Sequence, residues 1–384
     1  MSWKKAKLSE CCQSISDGDH QAPPKSNKGI PFVTISNIKD NSFDFTNCMH
    51  VPQSYYDNLL AKRKPQKGDI LYSVVGSFGI PVLIKENVKF TFQRHIAILR
   101  PNPHIVEPAY MYYSMLSKAF FLQADAAAIG AAQRTISLSS LQNLTINLPD
   151  LPTQRRIASI LSAYDDLIEN NRRQIKLLEE AAQRLYREWF VELLFPGHES
   201  VKVVDGVPEG WKIETVGSLL RKIPRTKQVL TSDYQVSGNI PIVDQSRDFI
   251  AGYTNDTDAC VKPQDAIIVF GDHTRILKYI TFPFAKGADG TQLIVSNSDC
   301  MPQSLFYFSI IHIDLTNYHY ARHFKYLKES TILVPTKSIA NAYDNIVHPI
   351  MKRIQVLRNS CVKAKEVRDR LLPKLMSGEM EVSE

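Results

Sequence analysis

The sequence contains no C-x-x-C pair. Its six cysteines are Cys11 and Cys12 side by side, then Cys48, Cys260, Cys300 and Cys361 far apart. That spacing excludes a zinc ribbon or a dithiol redox motif and suits reduced, mostly buried thiols. Long apolar runs are also missing. The longest, Ile70 to Ile84, is interrupted by Gly76, Gly79 and Pro81, and a bilayer span needs about 20 apolar residues. The basic start, Trp3-Lys4-Lys5-Ala6-Lys7, has no apolar stretch behind it, which speaks against a signal peptide and for a cytoplasmic chain.

Catalytic loops are equally scarce. There is no G-x-G-x-x-G and no G-x-x-x-x-G-K-[ST], so neither a dinucleotide nor an ATP cradle is indicated. Gly76-Ser77-Phe78-Gly79 is only a two-glycine turn. Amino-methyltransferases hold a flipped base amine in an Asn/Asp-Pro-Pro-aromatic loop; the nearest stretch, Asn147-Leu148-Pro149-Asp150, lacks that pattern. No Glu-x-Lys follows the Ala266–Gly271 run, so a nuclease built on Asp265 is unsupported. His319 and His323 share a helical spacing, but no third metal ligand is evident nearby. The expectation is no catalytic residue, no metal and no cofactor in this chain.

What is present is charge in moderation and a repeat. The net charge is +7, with 16 Lys/Arg against 11 Asp/Glu in residues 1–150 and 15 against 14 in residues 201–337. A protein gripping phosphates everywhere would be more basic, so nucleic-acid contact would come from local patches. Trp3-Lys4-Lys5 reappears as Trp211-Lys212-Ile213, and Ile30-Pro31-Phe32-Val33 as Ile240-Pro241-Ile242-Val243. The run Asp69 to Gly76 reappears as Asp265 to Gly271, and Thr145 to Pro149 as Thr331 to Pro335. Four matches in the same order mark a duplicated unit. Both halves read as short β-branched and aromatic strands between Gly, Pro, Asn and Asp turns, with helical pieces such as Pro108 to Gln123.

After each half the period changes. Ile157, Leu161, Tyr164, Ile168, Asn171, Ile175, Leu178, Ala182, Leu185 and Trp189 alternate by four and three. Tyr343, Val347, Ile350, Ile354, Leu357, Cys361, Ala364, Arg368, Leu371 and Leu375 do the same. These are coiled-coil seams, with Asn171 placed to set register. Pro149 and Pro152 precede the first helix and Pro196-Gly197 ends it, while Pro349 predicts a kink or restart in the second. The fold class is α+β. Two globular domains, 1–150 and 198–337, alternate with two spacer helices, 151–197 and 338–384, that pack as an antiparallel coiled coil. At 1.5 Å per residue, Ile157 to Trp189 rises about 48 Å.

The run Leu148-Pro149-Asp150-Leu151-Pro152-Thr153-Gln154-Arg155-Arg156-Ile157, continuing through Tyr164-Asp165-Asp166-Leu167-Ile168-Glu169-Asn170-Asn171 to Tyr186-Arg187-Glu188-Trp189-Phe190, resembles the central helix of type I restriction-modification specificity subunits. Arg370-Leu371-Leu372-Pro373-Lys374-Leu375 resembles that family's ending, and the likeness covers the whole chain. It implies a subunit bound to double-stranded DNA whose two target recognition domains each read half of a split, asymmetric site. The helices would fix the gap and recruit two modification subunits with adenine N6-methyltransferase activity and S-adenosylmethionine. Two restriction subunits can then join; no membrane is involved.

Base reading uses Arg toward guanine and Asn or Gln toward adenine, with lysines on phosphates. In the first head this selects His20, Gln21, Lys25, Ser36, Asn37, Gln93, Arg94, His95, Gln133, Arg134 and Thr135. In the second it selects His273, Thr274, Arg275, Lys278, Thr291, Gln292, Arg322, His323 and Lys325. The plain alternative for Gln133 and Arg134 is that they solvate a turn; for His20, that it caps the Asp17-Gly18-Asp19 turn. Asp272 is expected to orient Arg275 or a loop amide. Tyr186, Arg187, Trp189 and Phe190 either dock a modification subunit or cap the coiled coil against the second head. A non-DNA coiled-coil scaffold and an enzyme with an unrecognised site stay open.

Overall fold

The structure is a computed structural model that describes residues 3–130, 134–224, 226–287, 290–316 and 322–382. The chain divides into two compact units, Met1–Glu169 with Cys361–Glu384, and Asn170–Ser360. Each unit therefore takes one head and a share of both long helices.

The repeat is visible as strand register. In the first unit Lys4–Lys7 pairs antiparallel with Thr145–Leu148, Lys4 opposite Leu148. In the second, Lys212–Thr215 pairs the same way with Thr331–Val334, Lys212 opposite Val334. Ile30–Val33 runs antiparallel to Met49–Val51 and parallel to Thr91–Phe92; Ile240–Val243 runs antiparallel to Gly252–Thr254 and parallel to Phe284–Gly287. Ile70–Ser73 lies between Pro81–Leu83 and Ile96–Pro101, just as Ile267–Gly271 lies between Leu277–Ile280 and Thr291–Ile294. The central strands are buried on both faces, which explains their unbroken apolar sequence. The copies differ at the sheet edge. Cys12–Asp17 adds a fourth strand in the first unit, where the second has only a bridge from Leu220 to Ser296.

The first long helix is Leu151–Tyr186, prolonged by a π-helical turn over Arg187–Val191. Asp150 starts it, its carboxylate accepting from the Thr153 amide at 3.1 Å; the Thr153 hydroxyl first, and then this amide, hold the Asp150 carboxyl below the usual carboxylate range. The second is Lys337–Ser377. Inside the first unit Ile157, Ala158 and Leu161 share a core with Leu372, Leu375 and Met376. There Arg368 donates to Asp165, whose other oxygen accepts from Tyr113 at 2.6 Å, while the Cys361 thiol points at the Ile168 carbonyl. Residues 165 and 168 thus meet 368 and 361, so the helices run antiparallel. Inside the second unit Asn171, buried, donates to the Ser360 hydroxyl at 3.0 Å, and Arg358 donates to Glu179 at 2.7 Å. Tyr164, Ile168, Ile175, Leu178, Leu185, Val347, Ile350, Ile354, Leu357 and Leu371 are all buried or half-buried. Met351 is also buried and belongs to the seam, a position the four-three count passed over.

The helix does not restart at Pro349 but continues through it. Pro349 sits on the exposed face between the buried Val347 and Met351. Packing holds the helix on one side, and on the other the carbonyl deprived of its N–H partner faces solvent.

Candidate nucleic-acid interface

The first head gathers its polar candidates around one turn. Gln93, Arg94 and His95 link Thr91–Phe92 to Ile96–Pro101, one strand from each sheet. The Gln93 amide donates to the Val33 carbonyl, and the His95 carbonyl accepts from Val74. Gly18 approaches this turn so closely that a Cβ would stand 2.2 Å from the Phe92 carbonyl oxygen; only glycine lets Asp19 bridge to Gln93. Arg94 is exposed, and Gln93 and His95 are half-buried.

Around that turn the other candidates divide. His20 is exposed, but its ring meets the Asp17 carboxylate at 2.7 Å. Arg63 lies 3.5 Å from Asp17 and 3.9 Å from Asp19, and the Tyr55 hydroxyl donates to Asp19 at 2.7 Å. The Tyr55 bond, more than anything else, holds the Asp19 carboxyl below its ordinary range. His20 therefore closes the acidic turn through its contact with Asp17. Gln21 and Lys25 are exposed beside it, and so is Ser36. Asn37 is spent locally: it accepts from the Thr34 amide at 2.9 Å and donates to the Asp44 carbonyl at 3.3 Å, so its amide is not free to read a base.

Arg134 is also engaged. Its guanidinium pairs with the Asp125 carboxylate at 3.1 Å, donates to the Asp125 carbonyl and lies 5.8 Å from the Phe78 ring, which stacks on Phe121. Thr135 is fixed by bridges to Val75 and Ile129. Gln133 lies outside the described residues, as does His319.

The second head converges on a residue that the sequence reading missed. Gln245 accepts from the His273 amide through its side chain at 3.1 Å and from the Thr274 hydroxyl through its backbone at 2.6 Å. Gly290 packs against the same side chain. His273, Thr274 and Arg275 are exposed on this loop, with Arg275 at φ 62° and its guanidinium 3.2 Å from the Leu315 carbonyl. Arg322 and Lys325 are exposed. The Asp272 carboxylate accepts at 2.7 Å from the amide of Phe324, in the first turn of the helix His323–Glu329, rather than from a loop amide.

Three expectations in this head fail on burial. Lys278 is buried, its ammonium donating to the Asp248 carbonyl 3.8 Å from Asp244, and burial lowers its pKa. His323 is buried against the Asp272 carbonyl at 2.7 Å, and Thr291 is buried in its strand. All three alternate along strands or begin a helix, and the inward phase of that alternation was misjudged. Gln292, next to Thr291, is half-buried and lines a surface cleft.

The aromatic end of the first long helix is corrected as well. Tyr186, Trp189 and Phe190 are buried in the core of the second unit. Phe190 meets Trp211 and Tyr343 at 5.6 and 5.1 Å between ring centroids, and Trp189 meets Tyr343 at 5.9 Å. They cap the helix pair against the head and present no docking surface. Arg187 alone of the four is exposed. Among the described residues no group of three or more potential ligands could hold a metal ion, and no helix is long and apolar enough to cross a membrane.

Comparison with known proteins agrees with this architecture. Residues 2–180 match the family model described as the type I restriction modification DNA specificity domain, which spans one head and most of the helix after it. The type I restriction enzyme MjaIX specificity subunit of Methanocaldococcus jannaschii is 26% identical over 343 residues, covering 83% of this chain and 79% of that protein. The HindI specificity subunit of Haemophilus influenzae is 27% identical over 198 residues, covering 50% of this chain and 41% of that one. The crystal structure of the type I restriction-modification S subunit from M. genitalium superposes with a TM-score of 0.65 at 17% identity, covering 99% of this chain and 97% of the other, and so shares the fold. With a duplicated head, a paired helix after each copy and these relatives, the chain is similar to the specificity subunits of type I restriction-modification systems in sequence and shares their fold.

Proposed function

We propose that each head reads one half of a bipartite, asymmetric stretch of double-stranded DNA. The long helices set the gap between the halves and dock two modification subunits with adenine N6-methyltransferase activity. In this reading S-adenosylmethionine is held by those subunits, two restriction subunits join the same complex, and the chain is a non-catalytic partner working in the cytoplasm.

The observation that supports it is one scaffold used twice with different side chains at matching places. The strand Ile96–Pro101 is led by Gln93, Arg94 and His95; its counterpart Thr291–Ile294 is led by Gly290 and starts with Thr291 and Gln292. A duplicated framework with divergent polar turns is what two independent half-sites require, because phosphates position a protein while base edges specify it. The test is a pair of substitutions in the assembled complex. Arg94→Ala is expected to relax one half-site and Arg275→Ala the other, each by on the order of 10- to 100-fold at the affected base pair. Selection from randomised duplexes reads this directly. If both variants altered the same half, the assignment of one head to each half would be wrong.

A further inference from the structure

The second head carries a cleft of about 500 Å³ lined by Ile223, Thr226, Gln228, Lys286, Gln292 and Leu293. Gln228 stands beside Lys286 in the parallel pairing of their strands, and Gln292 opens the next strand of the neighbouring sheet. The polar groups facing this space are an ammonium, two amides and a hydroxyl, all able to donate. Lys286 is half-buried, and among the described residues no carboxylate pairs with it. Desolvation by burial pushes its pKa down.

The repeat shows that the fold does not need a lysine there. Val33 pairs with Phe92 in the first head exactly where Val243 pairs with Lys286 in the second. Phe92 is buried in an apolar cluster. A framework that accepts phenylalanine at this register gains nothing in packing from a partly desolvated cation. The cleft also shares Ile223, Pro224 and Thr226 with a larger one of about 810 Å³, whose lining holds four basic residues, Arg221, Lys222, Lys262 and Lys337, against two acidic ones, Asp265 and Asp299. In a head that is nearly neutral overall, this path carries a net excess of basic groups. A backbone phosphate is a convex anion and suits a concave nest of donors; a base edge lies recessed in a groove and needs a protruding side chain.

We propose that Lys286, with Thr226, Gln228 and Gln292 around it, grips a backbone phosphate of the duplex half-site that the second head reads. The inference rests on the DNA-reading function above and adds a positioning contact that the first head lacks.

The test uses the assembled complex with wild-type chain, Lys286→Met and Lys286→Arg. Duplex affinity is measured against salt, and base preference by selection from randomised duplexes. Lys286→Met should weaken binding of every sequence and lower the slope of log affinity against log salt by about one, with both half-site preferences unchanged. Lys286→Arg should keep the slope. The melting temperature of Lys286→Met should hold or rise, since the fold accepts Phe92 at the same register; if that variant failed to fold, Lys286→Gln would carry the same comparison. An unchanged slope, or a changed base preference in either half-site, overturns the proposal. So does Lys286-dependent binding of inorganic phosphate with duplex affinity unaffected. A wild-type complex with no bipartite preference sinks the parent reading, and this one with it.

Discussion

Trp189→Ala is expected to destabilise the second unit by about 3–5 kcal/mol, the usual cost of emptying a large aromatic site in a packed core. Trp189 lies beside Tyr343 and Phe190, in the cluster where the end of the first long helix, the start of the second and the head around Trp211 meet. Its loss leaves a cavity that Tyr343 and Phe190 cannot fill without leaving their own contacts. Denaturant unfolding of the full chain should show the transition of the second unit moving to lower denaturant while that of the first stays. Unchanged stability with weakened association to a modification subunit would instead restore the docking role that burial argues against.

The second large effect concerns spacing. Four residues inserted in the first long helix at Glu179-Glu180, matched by four in the facing stretch of the second near Lys352-Arg353, add about 6 Å of helix, nearly two base pairs at about 3.4 Å each. Four residues also make a turn that overshoots by only about 40°, so the seam absorbs them as a stutter. Both half-sites should keep their sequences while the gap lengthens by about one to two base pairs. A gap that stayed constant, or became variable, would mean that the helices serve only to dock partners.

The framework was legible because it rests on period and repetition. The four-three spacing from Ile157 to Leu185 appears as a buried stripe, and the Ile-Pro and tryptophan repeats appear as matched strand registers. The polar candidates were less legible, since residue type does not say which way a side chain points. Lys278 and His323 have the chemistry of DNA contacts and are spent inside the head, and Asn37 satisfies its own loop. Gln245 has no motif around it; only the turn Gly271 to Arg275 folding onto it gives it a role. Lys286 could have been found by setting the halves side by side, where it stands opposite Phe92. No restart occurs at Pro349 because a proline on the exposed face of a helix packed on its other side costs less than one in an isolated helix.

The central claim is that this chain, and not its partners, supplies a two-part DNA specificity. Its most direct test is to map methylated adenines across the genome of cells carrying the chain with its modification subunit, with and without the chain. The account predicts methylation confined to two short sequences separated by a fixed, unspecified gap, and lost when the chain is deleted. Methylation that persists unchanged without the chain, or that marks one continuous site, would contradict it.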